Sequence, residues 1–338
     1  MRRNTFIGAV FLVVAAAVPL FADPTIANID RIRIAEAFRI GEKVQNKLWA
    51  NWSDAPFAMD FITDDYEFLI RHPKPNDEFR SIGYDKLLKS EVFWRPRKFK
   101  KDFLATFPAF SATPVIVAGK AENTTDKTST RWLFVILHEH FHQLQYSRPG
   151  YFDDVNALGL TGGDTSGMWQ LNFPFPYEDK KAAADFRALT DRLLTVYEAK
   201  GRAQQRAKLS EYLASRQRFF DALGADNAKY ASFQIWQEGI ARYTQYRTAA
   251  IASRKVRPSM EFSRLADFTP FQAETDRLLT TTISELKQLD LTNWGRTVFY
   301  PFGATEGLVL DRVDKNWRKR YFSDKFAIEK FYPRGKTK

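Results

Sequence analysis

The sequence predicts an α+β fold, with a mixed α/β first part and a mainly helical second part. Three observations predict it. Residues 57–120 hold short β-branched and aromatic runs separated by turn residues. Residues 180–320 follow the 3.6-residue apolar period of helices. Between them, residues 130–145 begin apolar almost all round, as a helix buried on every side does.

Taken in order, residues 28–50 read as an amphipathic helix with Ile32, Ile34, Ala37, Phe38 and Val44 on its apolar face. Residues 57–63 and 66–70 form a hairpin around Thr63-Asp64-Asp65, and residues 91–95 form a further strand. Residues 114–118, ending at Gly119, are the most regular strand of the chain. A polar loop at 120–129 leads into the buried helix. Residues 148–179 are loop-like, rich in Gly, Pro, Asp and aromatics, and helices follow at 180–200, 204–222, 229–252, 271–289 and 303–320. No internal repeat or low-complexity tract interrupts this order. The expected organisation is a signal peptide at 1–22, an α/β lobe at 23–147, a loop-rich insertion at 148–179 and a helical lobe at 180–338.

Composition narrows the chemistry. With 338 residues the chain can bury a sizeable core unaided. It has no cysteine, which excludes disulfides, thiolate zinc sites and cysteine nucleophiles; any metal must be held by His, Asp or Glu. Arg2 and Arg3, the apolar run 6–21 and the small Ala22 before Asp23 have the form of a cleavable export signal. A periplasmic or secreted protein is therefore expected, with no stable membrane span once the signal is removed. The formal net charge of +11 is spread over scattered residues and fits a solvated basic surface. No nucleic-acid-binding module is recognisable, so nucleic acid is not an expected partner.

Of the four histidines, three lie in His138-Glu139-His140-Phe141-His142. On a helix, His138 and His142 stand one turn apart on one face, where two imidazoles can chelate one cation. Glu139 is about 100° further round, able to reach a metal-bound water without ligating the metal. This is the HExxH arrangement of zinc hydrolases. His140 points elsewhere and reads either as support for the ligands or as structural, not as a ligand itself. A third ligand is needed, and Glu238 in Trp236-Gln237-Glu238-Gly239 is the leading candidate. A glycine inside a helix costs about 1 kcal/mol relative to alanine, so Gly239 argues for a close helix approach or a ligand site. Asp164 stands next as a ligand candidate, and Asp154 after it.

The HExxH helix followed by a helix reading Glu238-Gly239-Ile240-Ala241-Arg242-Tyr243 resembles the gluzincin metallopeptidases, the group that includes thermolysin and the zinc aminopeptidases. The resemblance implies a zincin-like fold and a Zn²⁺ held by His138, His142 and Glu238. It also implies Glu139 as general base, with Tyr300 or Tyr243 donating to the oxyanion. The aminopeptidase pattern has Asn where this chain has Gln237. The interval from His142 to Glu238 is longer than in those families, so residues 143–230 read as an insertion between the two metal helices. The implied activity is peptide hydrolysis by an exported zinc enzyme. Hydrolysis of a non-peptide amide, such as cell-wall material, and a non-catalytic zinc-binding envelope protein stay open. The strand at 114–119 is expected to run along the cleft and pair with an extended peptide. The aromatics of 167–177 are expected either to line that cleft or to plug onto the core.

Overall fold

The computed structural model describes residues 24–333, so the expected signal segment at 1–22 lies outside the described residues. The chain opens with helix α1 (Asn28–Leu48) and continues into six strands: β1 (Ala58–Ile62), β2 (Tyr66–Ile70), β3 (Arg80–Asp85), β4 (Ser90–Pro96), β5 (Leu104–Ala109) and β6 (Thr113–Gly119). They form one open sheet of order β3-β4-β2-β1-β6-β5. The β1–β6 pair is parallel and the other neighbours are antiparallel. The expected hairpin is β1–β2, turning at Thr63-Asp64-Asp65. The sequence reading missed β3 and β5, the two edge strands. β3 is broken by a register shift between Ser81 and Tyr84, and β5 contains Pro108, which a strand tolerates at an edge.

The alternation of β6 sorts its side chains to two faces. Ile116 and Ala118 join a core under α1 and α2, whereas Val115 and Val117 join a second layer built from Phe79, Phe99, Phe103, Phe107 and Phe110. Because β6 lies between β1 and β5, its backbone edges are both occupied. The expectation that 114–119 pairs with a peptide is therefore overturned; the free edge on that side of the sheet belongs to β5.

Helix α2 (Ser129–Tyr146) carries the HExxH motif. The expected loop at 148–179 holds two short helices, α3 (Tyr151–Ala157) and α4 (Trp169–Asn172). Its aromatics plug inward: Trp169 and Phe175 are buried, and Phe173 stacks on Tyr230 with ring centroids 4.4 Å apart. Helices α5 (Lys180–Glu198), α6 (Arg202–Leu223) and α7 (Ala225–Gln234) follow, then a π-helical turn (Ile235–Gly239) leading into α8 (Ile240–Lys255). The remainder comprises α9 (Met260–Ser263), α10 (Phe271–Gln288), α11 (Leu291–Trp294), a 3-10 turn (Gly295–Val298), α12 (Phe299–Val313) and α13 (Trp317–Arg320).

The expected lobe boundaries at 147 and 180 do not divide the core. Ala249 and Ala252 of α8, with Val256, Phe262, Phe271 and Leu278, pack into the core beneath the sheet. Conversely Leu48, Trp49 and Trp52, from the start of the chain, pack into the helical core. Among the described residues no helix is long and apolar enough to cross a membrane.

Candidate metal centre

Helix α2 passes from one core to the other. Trp132 to Leu137 serve the core beneath the sheet, whereas Phe141 and Leu144 serve the helical core. His138 and His142 fall at this crossing. They face the π-helical turn, whose wider winding carries Glu238.

Three ligand atoms meet there. His138 Nε2 and His142 Nε2 are 3.1 Å apart. Glu238 Oε2 is 3.3 Å from His142 Nε2 and 3.7 Å from His138 Nε2. For tetrahedral zinc with ligand bonds of about 2.0–2.2 Å, the edge between two ligands is about 3.3–3.6 Å. The three separations thus fit one face of such a tetrahedron, and the donor set of two imidazoles and a carboxylate suits a metal left with an open fourth position.

The imidazole of His142 is held by its other nitrogen. Its Nδ1 lies 2.7 Å from Gln145 Oε1. The Gln145 amide nitrogen donates to the Trp236 and Gln237 carbonyls and to the Tyr321 hydroxyl, which fixes the amide's orientation. Nδ1 is then an N–H, and Nε2, facing Glu238, is the nitrogen that can bind either a proton or a cation. His138 Nδ1 is buried with no hydrogen-bond partner among the described residues.

Without a cation the site compensates its own charge. Burial opposes a charge on His142, but Glu238 beside it outweighs burial and raises its pKa from 6.5 to about 9. Burial likewise opposes ionisation of Glu238, but His142, His138 and Arg296 hold its carboxyl well below the usual range.

Glu139 belongs to the same cluster, with a carboxylate oxygen within 4.8 Å of ligand nitrogens of both histidines. Its Oε2 accepts from the Thr106 hydroxyl of β5 at 2.8 Å, and the same hydroxyl lies 3.0 Å from the Glu139 carbonyl. The edge strand thereby fixes the rotamer of Glu139. His138, Glu139 and His142 are each 5–7% exposed, so only a small part of the site meets solvent.

Tyr300 lies on the first turn of α12, its ring parallel to that of His138 at 6.3 Å. Its hydroxyl accepts from Arg296 Nη1 at 3.0 Å, and the same Nη1 is 3.3 Å from Glu238 Oε1. Burial, and then the nearby Glu238 charge, raise the Tyr300 pKa far above 10, so the phenol stays a donor. A cavity of about 210 Å³ adjoins Tyr300, lined also by Arg242, Glu285, Trp294 and Thr297.

The structure thus brings His138, Glu139, His142, Glu238 and Tyr300 together. Tyr243 is not among them. Its hydroxyl contacts both Asp311 oxygens at 2.8 Å and accepts from Arg318 at 2.7 Å, and its side chain is buried against Trp49 and Trp317. One helical turn beyond the π-turn, it points into the helical core and not toward the histidines. Asp164 is also elsewhere: it caps a surface turn, accepting from Ser166 and from the Trp169 amide. Asp154 pairs with Lys325.

His140 is structural. Its ring stacks on Phe57 at 3.7 Å and 3°. Burial lowers its pKa to about 3, so the ring is neutral. Nδ1 lies 2.8 Å from Gln143 Oε1, and the Gln143 amide nitrogen donates to the Ala58 and Pro114 carbonyls.

Sequence reasoning missed Arg296, Thr106, Gln145 and Tyr146. Tyr146 had a signal, since it follows His142 by the same four-residue step that separates His142 from His138, and its ring stacks on His142 at 6.3 Å. Arg296 precedes Tyr300 by one helical step. Thr106 and Gln145 carry no signal that sequence spacing alone reveals. No protein-family description, curated protein or solved structure matches the chain.

Proposed function

We propose that this protein is an exported zinc-dependent hydrolase of amide bonds, acting as a peptidase. The observation that supports this most is the set of three mutual distances, 3.1, 3.3 and 3.7 Å, among His138 Nε2, His142 Nε2 and Glu238 Oε2.

In this reading His138, His142 and Glu238 hold the zinc. When bound, zinc lowers the pKa of a coordinated water to about 7 and polarises the scissile carbonyl. Glu139 takes the water proton as the water oxygen bonds to the acyl carbon. The C–N bond then breaks, and Glu139 delivers the proton to the leaving amine. Thr106 keeps the Glu139 carboxylate in place through this exchange. Tyr300, a protonated phenol beside His138, donates to the oxyanion.

The test combines metal analysis with one variant. Purified protein should carry one zinc per chain, and His142→Ala should lose it. Glu139→Gln should keep the zinc but hydrolyse a mixed peptide library at least about 100-fold more slowly, the usual contribution of a general base. A protein that takes up no zinc, or a Glu139→Gln variant with full activity, would sink this reading.

A further inference from the structure

We propose that Arg296 is a carboxylate anchor, and that the substrate carries a free carboxylate next to its scissile amide, as the last residue of a peptide does. The proposal rests on the metallohydrolase reading and adds exo-cleavage from the C-terminus to it.

Two buried guanidiniums of this fold, Arg33 and Arg95, are engaged along every edge. Arg33 bonds Ser129 through Nε, Asp30 through Nη1 and Asp267 through Nη2. Arg95 engages Glu67 through Nε and Glu78 through Nη1, with Asp60 3.9 Å from Nη2. Arg296 differs. Its side chain is 22% exposed, and its hydrogen bonds to Gln234, Glu238 and Tyr300 all run through Nη1. Among the described residues, Nε and Nη2 have no partner. That free edge carries two parallel N–H groups, the geometry that grips a carboxylate in bidentate fashion.

Charge points the same way. Among the described residues, Glu238 is the one carboxylate in contact with Arg296, and its other oxygen faces the two imidazoles. With a divalent ion in place, Glu139 and Glu238 cannot balance both that ion and the guanidinium. Counting these groups alone, the site keeps a positive charge, which favours a substrate carboxylate. The reach is short: Arg296 touches a zinc ligand directly. In a peptide cleaved at its last amide, the carboxylate carbon is two bonds beyond the leaving nitrogen, a matching distance scale.

The experiment uses two N-acylated dipeptides that differ only in ending as a free acid or as a carboxamide. The zinc-loaded protein should prefer the acid by about 10- to 100-fold in kcat/KM, the value of a charge-assisted hydrogen-bond pair. Arg296→Gln should bring that ratio close to one, and Arg296→Lys should retain part of it, with zinc content measured for each variant. The ratio cancels any general damage to the site, because both substrates meet the same variant. Equal cleavage of acid and amide by the wild type, or an unchanged preference in Arg296→Gln, overturns the proposal and leaves the hydrolase reading standing. Calorimetric binding of N-acetyl-phenylalanine and of its amide to the protein as purified supplies a readout that needs no turnover. An acid preference abolished in Arg296→Gln supports the anchor even where no substrate is cleaved, and no preference overturns it.

Discussion

His138, His140 and His142 differ in fate because their rings meet different surroundings. His140 lies against Phe57 and Trp52 with no carboxylate near it, and stays neutral. Its Nδ1 gives its N–H to Gln143, and its Nε2 lies 3.1 Å from the Gln45 side-chain amide. His142 faces Glu238 and is protonated in the metal-free protein at neutral pH. Its folded pKa, about 9, lies above the unfolded value of 6.5, so its contribution to metal-free stability is full below 6.5 and is lost as pH rises through 9. Glu238 has the opposite sign: its pKa is depressed below 4.5, and its contribution is lost only as pH falls beneath that value. Zinc requires the neutral imidazole, so it competes with the His142 proton. Zinc affinity should therefore rise about tenfold per pH unit between pH 7 and 8.5, with close to one proton released per zinc. Calorimetry in two buffers of different ionisation enthalpy counts that proton directly. An affinity that does not change over this interval would show that His142 is not the competing group.

The element that positions Glu238, the proposed third ligand, is the π-helical turn. The sequence period reads 229–252 as one continuous helix, and the structure divides it into α7, the turn and α8. Gly239 explains why the turn packs as it does. A Cβ there would lie 2.6 Å from Gly303 Cα and 2.9 Å from the Phe299 carbonyl, so the turn and α12 touch backbone to backbone. This contact brings Tyr300, on the first turn of α12, and Arg296, in the 3-10 turn before it, alongside Glu238. Gly239→Ala should force the two helices apart and cost about 1–3 kcal/mol, as overpacking does. It should also weaken zinc binding, because Glu238 precedes the displaced residue. Urea denaturation of the metal-free variant and a chelator competition measure the two effects separately; wild-type values in both would refute the contact's role. The grouping of the candidate site was legible where chemistry and period coincide: HExxH on a buried helix, and Glu beside a glycine inside a helix. Tyr243 misled because its position in the resemblance is sequential, whereas its direction depends on the winding after the π-turn. The two edge strands were not legible, since Gly83 and Pro108 hide the alternation that marks β1, β2 and β6.

On the scale of the whole molecule, the proposed metal site sits where two elements change cores. Helix α2 contributes Trp132–Leu137 to the core beneath the sheet and Phe141 and Leu144 to the helical core. Helix α8 does the same in the other direction, with Ile240, Ala241 and Tyr243 in the helical core and Ala249 and Ala252 beneath the sheet. Neither core can unfold without releasing residues of both helices, and with them the positions of His138, His142 and Glu238. A ligand that binds only the folded site stabilises the fold by about 4 kcal/mol at a thousandfold excess over its Kd. Because the site belongs to both cores, that stabilisation should reach both. Hydrogen exchange of the zinc-loaded protein, compared with chelator-treated protein, should slow in β6 (Thr113–Gly119) and in α12 (Phe299–Val313) alike. Slowing confined to the helices around the site would mean that the sheet opens independently, and that α2 is a hinge and not a shared spine.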